Sequence, residues 1–296
     1  MKGYALESAV SKRVLLGDYL FLAKPGIVSL VLMSTLTGLC IGSRGLPEAG
    51  LTLWIMLGVG LTTAGSALLN NFFDRDIDCL MERTRARTLA LEAVSPGNAA
   101  TLGSLLTGSG ILILGVAVNL PSAILTAVAA LGYVFLYTIL LKRRTPFANQ
   151  VGGIAGALPP LIGYAAVTQH IDAMGMILFG IVAVWQQPHA LSIALKYKEE
   201  YRKACIPVVP VAKGVRSTKI RIVIYTALLL PASILPYVYG MVGLLYAAVS
   251  IPLGIFYLVI AGRFMLSKRE CDMSLFFYSL VYITMIFVAM ILNMTN

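Results

Sequence analysis

The chain has 296 residues, of which 58% are hydrophobic and only 12% charged, with a mean hydropathy of +0.86. Soluble domains carry roughly 25% charged residues, and half that density cannot cover a water-exposed surface of this size; disorder, collagen and nucleic-acid-binding arms are excluded as well, since each needs polar or periodic low-complexity sequence. An integral membrane protein remains, in which 23 Lys and Arg against 13 Asp and Glu, a net +10, speak first of topology and not of nucleic acid.

Taken in chain order, the sequence opens with Lys2, Lys12 and Arg13, then Val14–Ala23, an apolar stretch interrupted by Asp18. It is too short to cross a bilayer and reads as an interfacial amphipathic helix, with no evident secretory signal. Windows of about 20 apolar residues, the length that spans a bilayer, then fall at 26–43, 51–69, 99–118, 121–141, 149–168, 174–194, 220–238, 241–262 and 274–293. Leu120-Pro121 and Tyr239-Gly240 separate the tight pairs. Strands of a transmembrane barrel would alternate in segments of about ten residues, and these unbroken runs do not. The expectation is an all-α polytopic bundle of nine spans in a single domain over residues 1–296.

Of the 23 Lys and Arg, 22 lie before span 1 or in the connections after spans 2, 4, 6 and 8; Arg44 alone lies on the other side. That bias predicts a cytoplasmic N-terminus and an outer C-terminus, in a setting such as a bacterial inner membrane. Eleven of the acids share the basic face, against Glu48 and Asp172 outside, so the two faces carry +11 and −1. Cys40, Cys79, Cys205 and Cys271 form no CxxC pair, which argues against disulfides and zinc.

Two connections on the basic face, 70–98 and 195–219, are long and hold most of the acids, and long connections on one face of a bundle are where sites gather. In the first, Asn70, Asp74 and Asp78 stand at i, i+4, i+8 and form one stripe if helix 2 continues through them. Carboxylates with an amide oxygen suit a hard divalent cation, and Mg²⁺ held by one or two carboxylates usually shares its shell with a phosphate. A lone Asp here would read as a solvated helix end; Asn and two Asp in register at a membrane edge favour the metal. Asp76 points about 200° from Asp74 and is expected to pair with an Arg. Arg83, Arg85 and Arg87, at every second position, predict an irregular loop whose arginines are either topological anchors or phosphate contacts.

The second connection contains Trp185-Gln186-Gln187-Pro188-His189, then Lys196-Tyr197-Lys198-Glu199-Glu200-Tyr201, then Ile206-Pro207 through Pro210. Lys196 and Glu200 could form a surface pair, and Tyr197 and Tyr201 an interfacial aromatic stripe. His189, at the basic end of span 6 after a proline, is either a hydrogen-bonded structural residue or a ligand; His170 lies outside beside Asp172 and is given no role.

With Lys24-Pro25, Asn70 through Asp78, Arg83-Thr84 with Arg87, Tyr137-Thr138 with Lys142-Arg143-Arg144-Thr145-Pro146, Gly152-Gly153 through Gly163, Trp185-Gln186 with Pro188-His189, and Ser274, Phe277, Ser279-Leu280 and Tyr282, the sequence resembles the UbiA-type intramembrane prenyltransferases nearly end to end, and within them the branch that farnesylates protoheme IX. The resemblance implies nine helices around a central cavity open to the cytoplasmic side. It implies transfer of a farnesyl group from farnesyl diphosphate to a vinyl carbon of heme B, with water completing a hydroxyethylfarnesyl substituent, and a downstream heme-modifying enzyme or oxidase as consumer. Asn70, Asp74 and Asp78 would hold Mg²⁺ on the diphosphate, with Arg83, Arg87, Lys142 and Lys24 as diphosphate contacts. Lys196, Tyr197, Glu200 and Tyr201 replace the second acidic motif of the superfamily, so that Lys196 and Glu200 join the catalytic candidates. His189 is expected to contact heme, as an axial ligand or through a propionate, the latter a role open also to Lys196, Tyr197 and Tyr201.

Five positions depart from the branch: Gly26 stands for a usual Arg, Thr88 for Pro, Ala190 for Phe, Glu200 for Asp and Cys205 for Gly. Two rival readings are prenylation of another acceptor, such as an aromatic quinone precursor, and a secondary transporter. A transporter would place acids near the midplane, whereas these acids sit at one edge.

Overall fold

The protein is described here by a computed structural model covering residues 16–295. The expectations on Lys2, Glu7, Lys12, Arg13 and Val14, and on the side chain of Thr88, lie outside the described residues. Among the described residues, nine helices are long and apolar enough to cross a membrane, and the chain is all-helical apart from one isolated β-bridge between Val242 and Met294.

A short helix α1 (Leu16–Leu22) precedes the spans α2 (Pro25–Ser43), α3 (Ala49–Asp78), α5 (Pro96–Ala117) and α6 (Leu120–Leu131). The last continues without a break as a π-helical segment, Gly132–Leu141. The remaining spans are α7 (Ala148–Thr168), α8 (Ala173–Lys196), α11 (Gly214–Val238), α12 (Leu244–Leu266) and α13 (Met273–Leu292). Between them lie α4 (Glu82–Val94), α9 (Lys198–Lys203) and α10 (Val209–Ala212). Ends fall where the sequence supplies caps. Ser95 accepts from the Asn98 amide ahead of α5, Asn119 from Ser122 ahead of α6, and Asp172 from Met174 and Gly175 ahead of α8. Asp172, on the face opposite the basic one, is therefore a helix cap, with the His170 ring 3.3 Å away.

At 30 residues, α3 is about 45 Å long, well beyond the apolar thickness of a bilayer. Its last turns, Asn70 to Asp78, therefore stand at the basic end as a stripe on a continuous helix. The arginine run is a correction: Arg83, Arg85 and Arg87 lie on helix α4, not in an irregular loop. On a helix, residues two apart face nearly opposite ways and residues four apart share a face. Arg83 and Arg87 thus go to one side of α4 and Arg85 to the other, where it is exposed. Leu91 and Val94 pack the end of α4 against Leu22, Leu68 and Ala99.

Two close helix pairs set the frame. Gly58 and Gly65 of α3 face Gly110 and Gly103 of α5, and a Cβ on Gly65 would stand 2.5 Å from the Gly103 carbonyl. Likewise a Cβ on Gly163 of α7 would strike the Thr35 carbonyl of α2. In lipid no hydrophobic force drives helices together, so this small-residue contact of backbone on backbone does it. The other half of the bundle, α8 and α11 to α13, is held by large buried side chains including Trp185, Tyr246, Tyr257, Tyr282 and Phe264. Between α2, α3, α6 and α7 lies an apolar cavity with about 710 Å³ of empty space, bordered by Val31, Val59, Ser66, Ala130, Tyr133 and Pro159 among others.

Candidate active site

The polar cluster at the basic end is built by α3, the π segment and the approach to α2. Asn70 donates to Asp74 Oδ2 at 2.8 Å and to Thr138 Oγ1 at 2.9 Å, while its Oδ1 accepts from Lys24 Nζ at 2.5 Å. Lys142 Nζ approaches the same Asp74 Oδ2 to 2.6 Å. The other oxygen, Oδ1, is sealed from solvent without any hydrogen-bond partner. Asp78 is buried, yet its carboxylate makes no hydrogen bond or ion pair among the described residues. Asp76, on the far side of α3, takes a bidentate pair from Arg143 at 2.6 Å.

Local backbone geometry explains the convergence. Lys24 has a left-handed φ of 56° immediately before Pro25, a conformation that costs of order 1–3 kcal/mol, and its ammonium ends inside the bundle. Burial, and next Arg87, pull the Lys24 pKa down to about 7 against the opposing carboxylates Asp74 and Asp78. In the π segment Thr138 Oγ1 reaches back five residues to the Tyr133 carbonyl. Tyr133 and Tyr137 stack with centroids 6.0 Å apart. The wide π turn, a form frequent at functional sites, brings Thr138 and Lys142 onto Asn70 and Asp74 of α3, while Tyr137 packs against Gly152 of α7. Burial works against the charge on Lys142, but Tyr137 and Asp74 outweigh it and its pKa lies above the ordinary value.

A second group joins the two long connections. The Arg83 amide donates to Glu200 Oε2 at 3.2 Å, its guanidinium to the Tyr201 hydroxyl at 3.4 Å, and it lies over the Tyr197 ring at 4.9 Å. Lys196 also packs on Tyr197, so the expected Lys196–Glu200 pair gives way to Arg83–Glu200. Tyr137, Lys142 and Tyr201 share a crevice with about 260 Å³ of empty space, which links the two groups. Arg87 is half-buried within electrostatic reach of Lys24 and Asp78. His189 stands apart, on α8 against α13, where its Nδ1 lies 2.7 Å from Ser279 Oγ.

Nothing in the sequence reading gave a site role to Tyr133, Tyr137, Thr138 or Ser279. The available signal was a polar side chain on an otherwise apolar span, which is costly in a bilayer unless it is partnered or used. Of the departures, Gly26 is exposed with open space about it, and Glu200 uses its reach to accept from Arg83.

The donor set can be tested against a divalent cation. Among the described residues no three His, Cys, Asp or Glu side chains converge; two carboxylates do, one with an orphaned buried oxygen and one unengaged. That fits Mg²⁺, which takes one or two carboxylates and completes its shell with water and phosphate. Asn70 Oδ1 is already held by Lys24, so in this arrangement Asn70 orients Asp74. Two cations, a nearby guanidinium and two tyrosines around paired acids supply the charge and oxygen donors that a polyanion carrying its own metal would need, with Tyr133 between them and the apolar cavity.

The chain is similar to known proteins over most of its length. Residues 31–290 match the UbiA prenyltransferase family. The chain is 45% identical over 279 residues to a protein named protoheme IX farnesyltransferase from Aquifex aeolicus (strain VF5), covering 94% of this chain and 96% of that one. Its fold resembles that of a solved digeranylgeranylglyceryl phosphate synthase, with a TM-score of 0.76 at 19% identity, covering 94% and 98% of the two chains. A UbiA homolog from Archaeoglobus fulgidus bound to GPP and Mg²⁺ superposes with a TM-score of 0.63 at 18% identity, covering 93% and 99%.

Proposed function

The chain belongs to the UbiA prenyltransferase family, and we propose that it transfers a farnesyl group from farnesyl diphosphate to a vinyl group of heme B, giving heme O and diphosphate. The observation that carries this reading is the buried Asn70–Asp74–Asp78 stripe, ringed by Lys24, Lys142 and Arg87 and beginning one turn along α3 from Ser66 and Ala67, which line an apolar cavity. An ionic head above a hydrocarbon slot suits a prenyl diphosphate. The porphyrin acceptor is supported by relatives such as the Aquifex aeolicus protein, at 45% identity.

Asp74 and Asp78 would hold Mg²⁺, with Asn70 orienting Asp74; when bound, the ion offsets negative charge on the departing diphosphate. Lys142 and Lys24 bind the phosphate oxygens, and Arg87 and Arg83 close over them from α4. These fixed cations stabilise the charge that develops as the allylic C–O bond breaks. The farnesyl chain occupies the cavity lined by Val31, Val59 and Ala130, which keeps water from the allylic cation. The vinyl group attacks that cation to form the new C–C bond, water adds at the adjacent carbon, and one proton leaves with the diphosphate product. Lys196, Tyr197 and Tyr201 are placed on the basic face, where porphyrin carboxylates would meet them, and Glu200 anchors Arg83.

With 22 of 23 Lys and Arg on one face, that face is read as cytoplasmic, and the charge bias supports an N-terminus inside and a C-terminus outside. The deciding experiment supplies purified protein with heme B, farnesyl diphosphate and Mg²⁺ and measures product mass. A hydroxyethylfarnesyl heme is expected; unmodified heme alongside a prenylated second acceptor would overturn the assignment.

A further inference from the structure

His189 is held on three sides. Its ring stacks on Trp185 with centroids 5.0 Å apart and meets the Phe276 ring at a tilt, 4.8 Å away. Its Nδ1 is 2.7 Å from Ser279 Oγ. Ser279 is fixed in turn: its backbone carbonyl accepts from Trp185 Nε1 at 2.6 Å, and its hydroxyl donates to the Phe276 carbonyl at 2.6 Å.

The last contact decides where protons lie. A carbonyl oxygen has nothing to donate, so the single Ser279 hydroxyl proton points at Phe276. Ser279 Oγ can then meet His189 only as an acceptor, and the proton between them belongs to Nδ1. The Tyr257 hydroxyl, also near Ser279, donates to the Leu275 carbonyl at 3.4 Å, and the Phe276 carbonyl at 2.6 Å remains the short acceptor for the Ser279 proton. In a neutral imidazole Nε2 must therefore be bare. Nε2 makes no hydrogen bond among the described residues and is not one of the sealed, partnerless polar atoms of the interior. It has a free lone pair and is not fully sealed by its neighbours.

We propose that Ser279 is a positioning residue that holds His189 as the Nδ1–H tautomer and presents a bare Nε2 to the iron of the porphyrin acceptor. The inference rests on the heme reading above and extends it to a residue outside the diphosphate cluster. The chemistry is that of an imidazole ligand whose second nitrogen is hydrogen-bonded, which sets both its tautomer and its ring orientation. Trp185 and Phe276 fix the ring plane, so the axial direction is set before the substrate arrives.

The first test needs no heme and leaves His189 and Ser279 unchanged. The chain has two histidines, so ¹⁵N-histidine NMR of the solubilised protein, with His170→Asn for assignment, reports the His189 tautomer directly. A protonated Nδ1 and bare Nε2 are expected; a protonated Nε2 overturns the proposal. In the second test ferric heme B is added and its Soret and EPR spectra are recorded. Wild type is expected to show imidazole ligation and His189→Ala to lose it. Ser279→Ala should bind heme about 10–100-fold more weakly, the usual range for a lost outer partner of a ligating histidine, while Ser279→Thr, which keeps the hydroxyl, recovers most of the affinity. A wild-type spectrum in His189→Ala, or wild-type tautomer and affinity in Ser279→Ala, overturns it. Failure of the farnesylation reading shows separately, as absence of product with the imidazole-ligated spectrum intact.

Discussion

Lys142 and Asp74 meet as a buried ion pair, Nζ to Oδ2 at 2.6 Å, with only 15% and 2% of their side chains exposed. The same Oδ2 accepts from Asn70, and Oδ1 has no partner. The pair divides one carboxylate into an oxygen that the protein holds and an oxygen that no side chain engages. Lys142 reaches it because the π segment delivers the chain to α3 at that point.

Breaking the pair from either side should harm both catalysis and folding. Asp74→Asn leaves Lys142 buried without its counter-charge, and Lys142→Gln does the same to Asp74. Each is expected to lower turnover by at least about 100-fold, the scale of one lost charge-stabilising contact, and to lower the melting temperature. The double variant should be less destabilised than the sum of the singles, by about 1–3 kcal/mol of coupling. Strict additivity in a melting series would show that the two side chains do not support each other.

Asp78 should behave differently, because it makes no hydrogen bond or ion pair in the fold. Asp78→Asn is expected to melt at or above the wild-type temperature, since it removes an unpartnered buried charge. Turnover should nevertheless collapse, and residual activity should need a higher Mg²⁺ concentration. Chelating Mg²⁺ in wild type should abolish turnover, and adding it back should restore it. Loss of stability without a changed Mg²⁺ requirement would assign Asp78 to the fold instead.

The three arginines of α4 separate by helix face. Arg87 lies towards Lys24 and Asp78, Arg83 bridges to Glu200 and Tyr201, and Arg85 is exposed. Arg87→Ala should raise the KM for farnesyl diphosphate and lower turnover. Arg83→Ala keeps the amide bond to Glu200 but removes the guanidinium contacts to Tyr201 and Tyr197, and should loosen the second connection enough to make it more open to limited proteolysis. Arg85→Ala should stay within about 0.5 kcal/mol of wild type in stability, as exposed substitutions usually do, with unchanged kinetics. A kinetic loss at Arg85 as large as at Arg87 would refute this division of faces.

The spans were legible in the sequence because bilayer thickness imposes a length on apolar runs, and the Asn70–Asp74–Asp78 stripe because four-residue spacing survives helix extension. Sequence patterning hid the geometry that depends on partners far along the chain. The π turn at Gly132–Leu141 leaves the same apolar run as an α-helix would. Lys24 turns inward through a left-handed backbone that nothing in Lys24-Pro25 announces. Arg83, Arg85 and Arg87 look like a loop only while the face-sorting of a helix is ignored. The second of the paired asparagines, Asn71, donates to the Leu22 carbonyl at 2.7 Å and ties α1 to α3, a partner 49 residues away.

One departure from the family pattern has a physical cost that can be removed. After α9 the Ile206 amide donates to the Tyr201 carbonyl at 2.9 Å and the Cys205 amide to Arg202 at 3.1 Å. This is the pair of hydrogen bonds that closes a helix with a left-handed residue, a position that favours glycine. Cys205 occupies it with φ at 55°, where a side chain costs about 1–2 kcal/mol. Glycine would recover that strain and lose about 0.4–1 kcal/mol to the greater freedom of its unfolded chain. Cys205→Gly should therefore stabilise the protein by roughly 0.5–1 kcal/mol, the difference between those two terms, with turnover unchanged because the thiol is exposed and makes no hydrogen bond among the described residues. Thermal melts in one detergent, wild type against variant, read this directly. A lower melting temperature would mean that the Cys205 side chain contributes packing that outweighs its strained backbone.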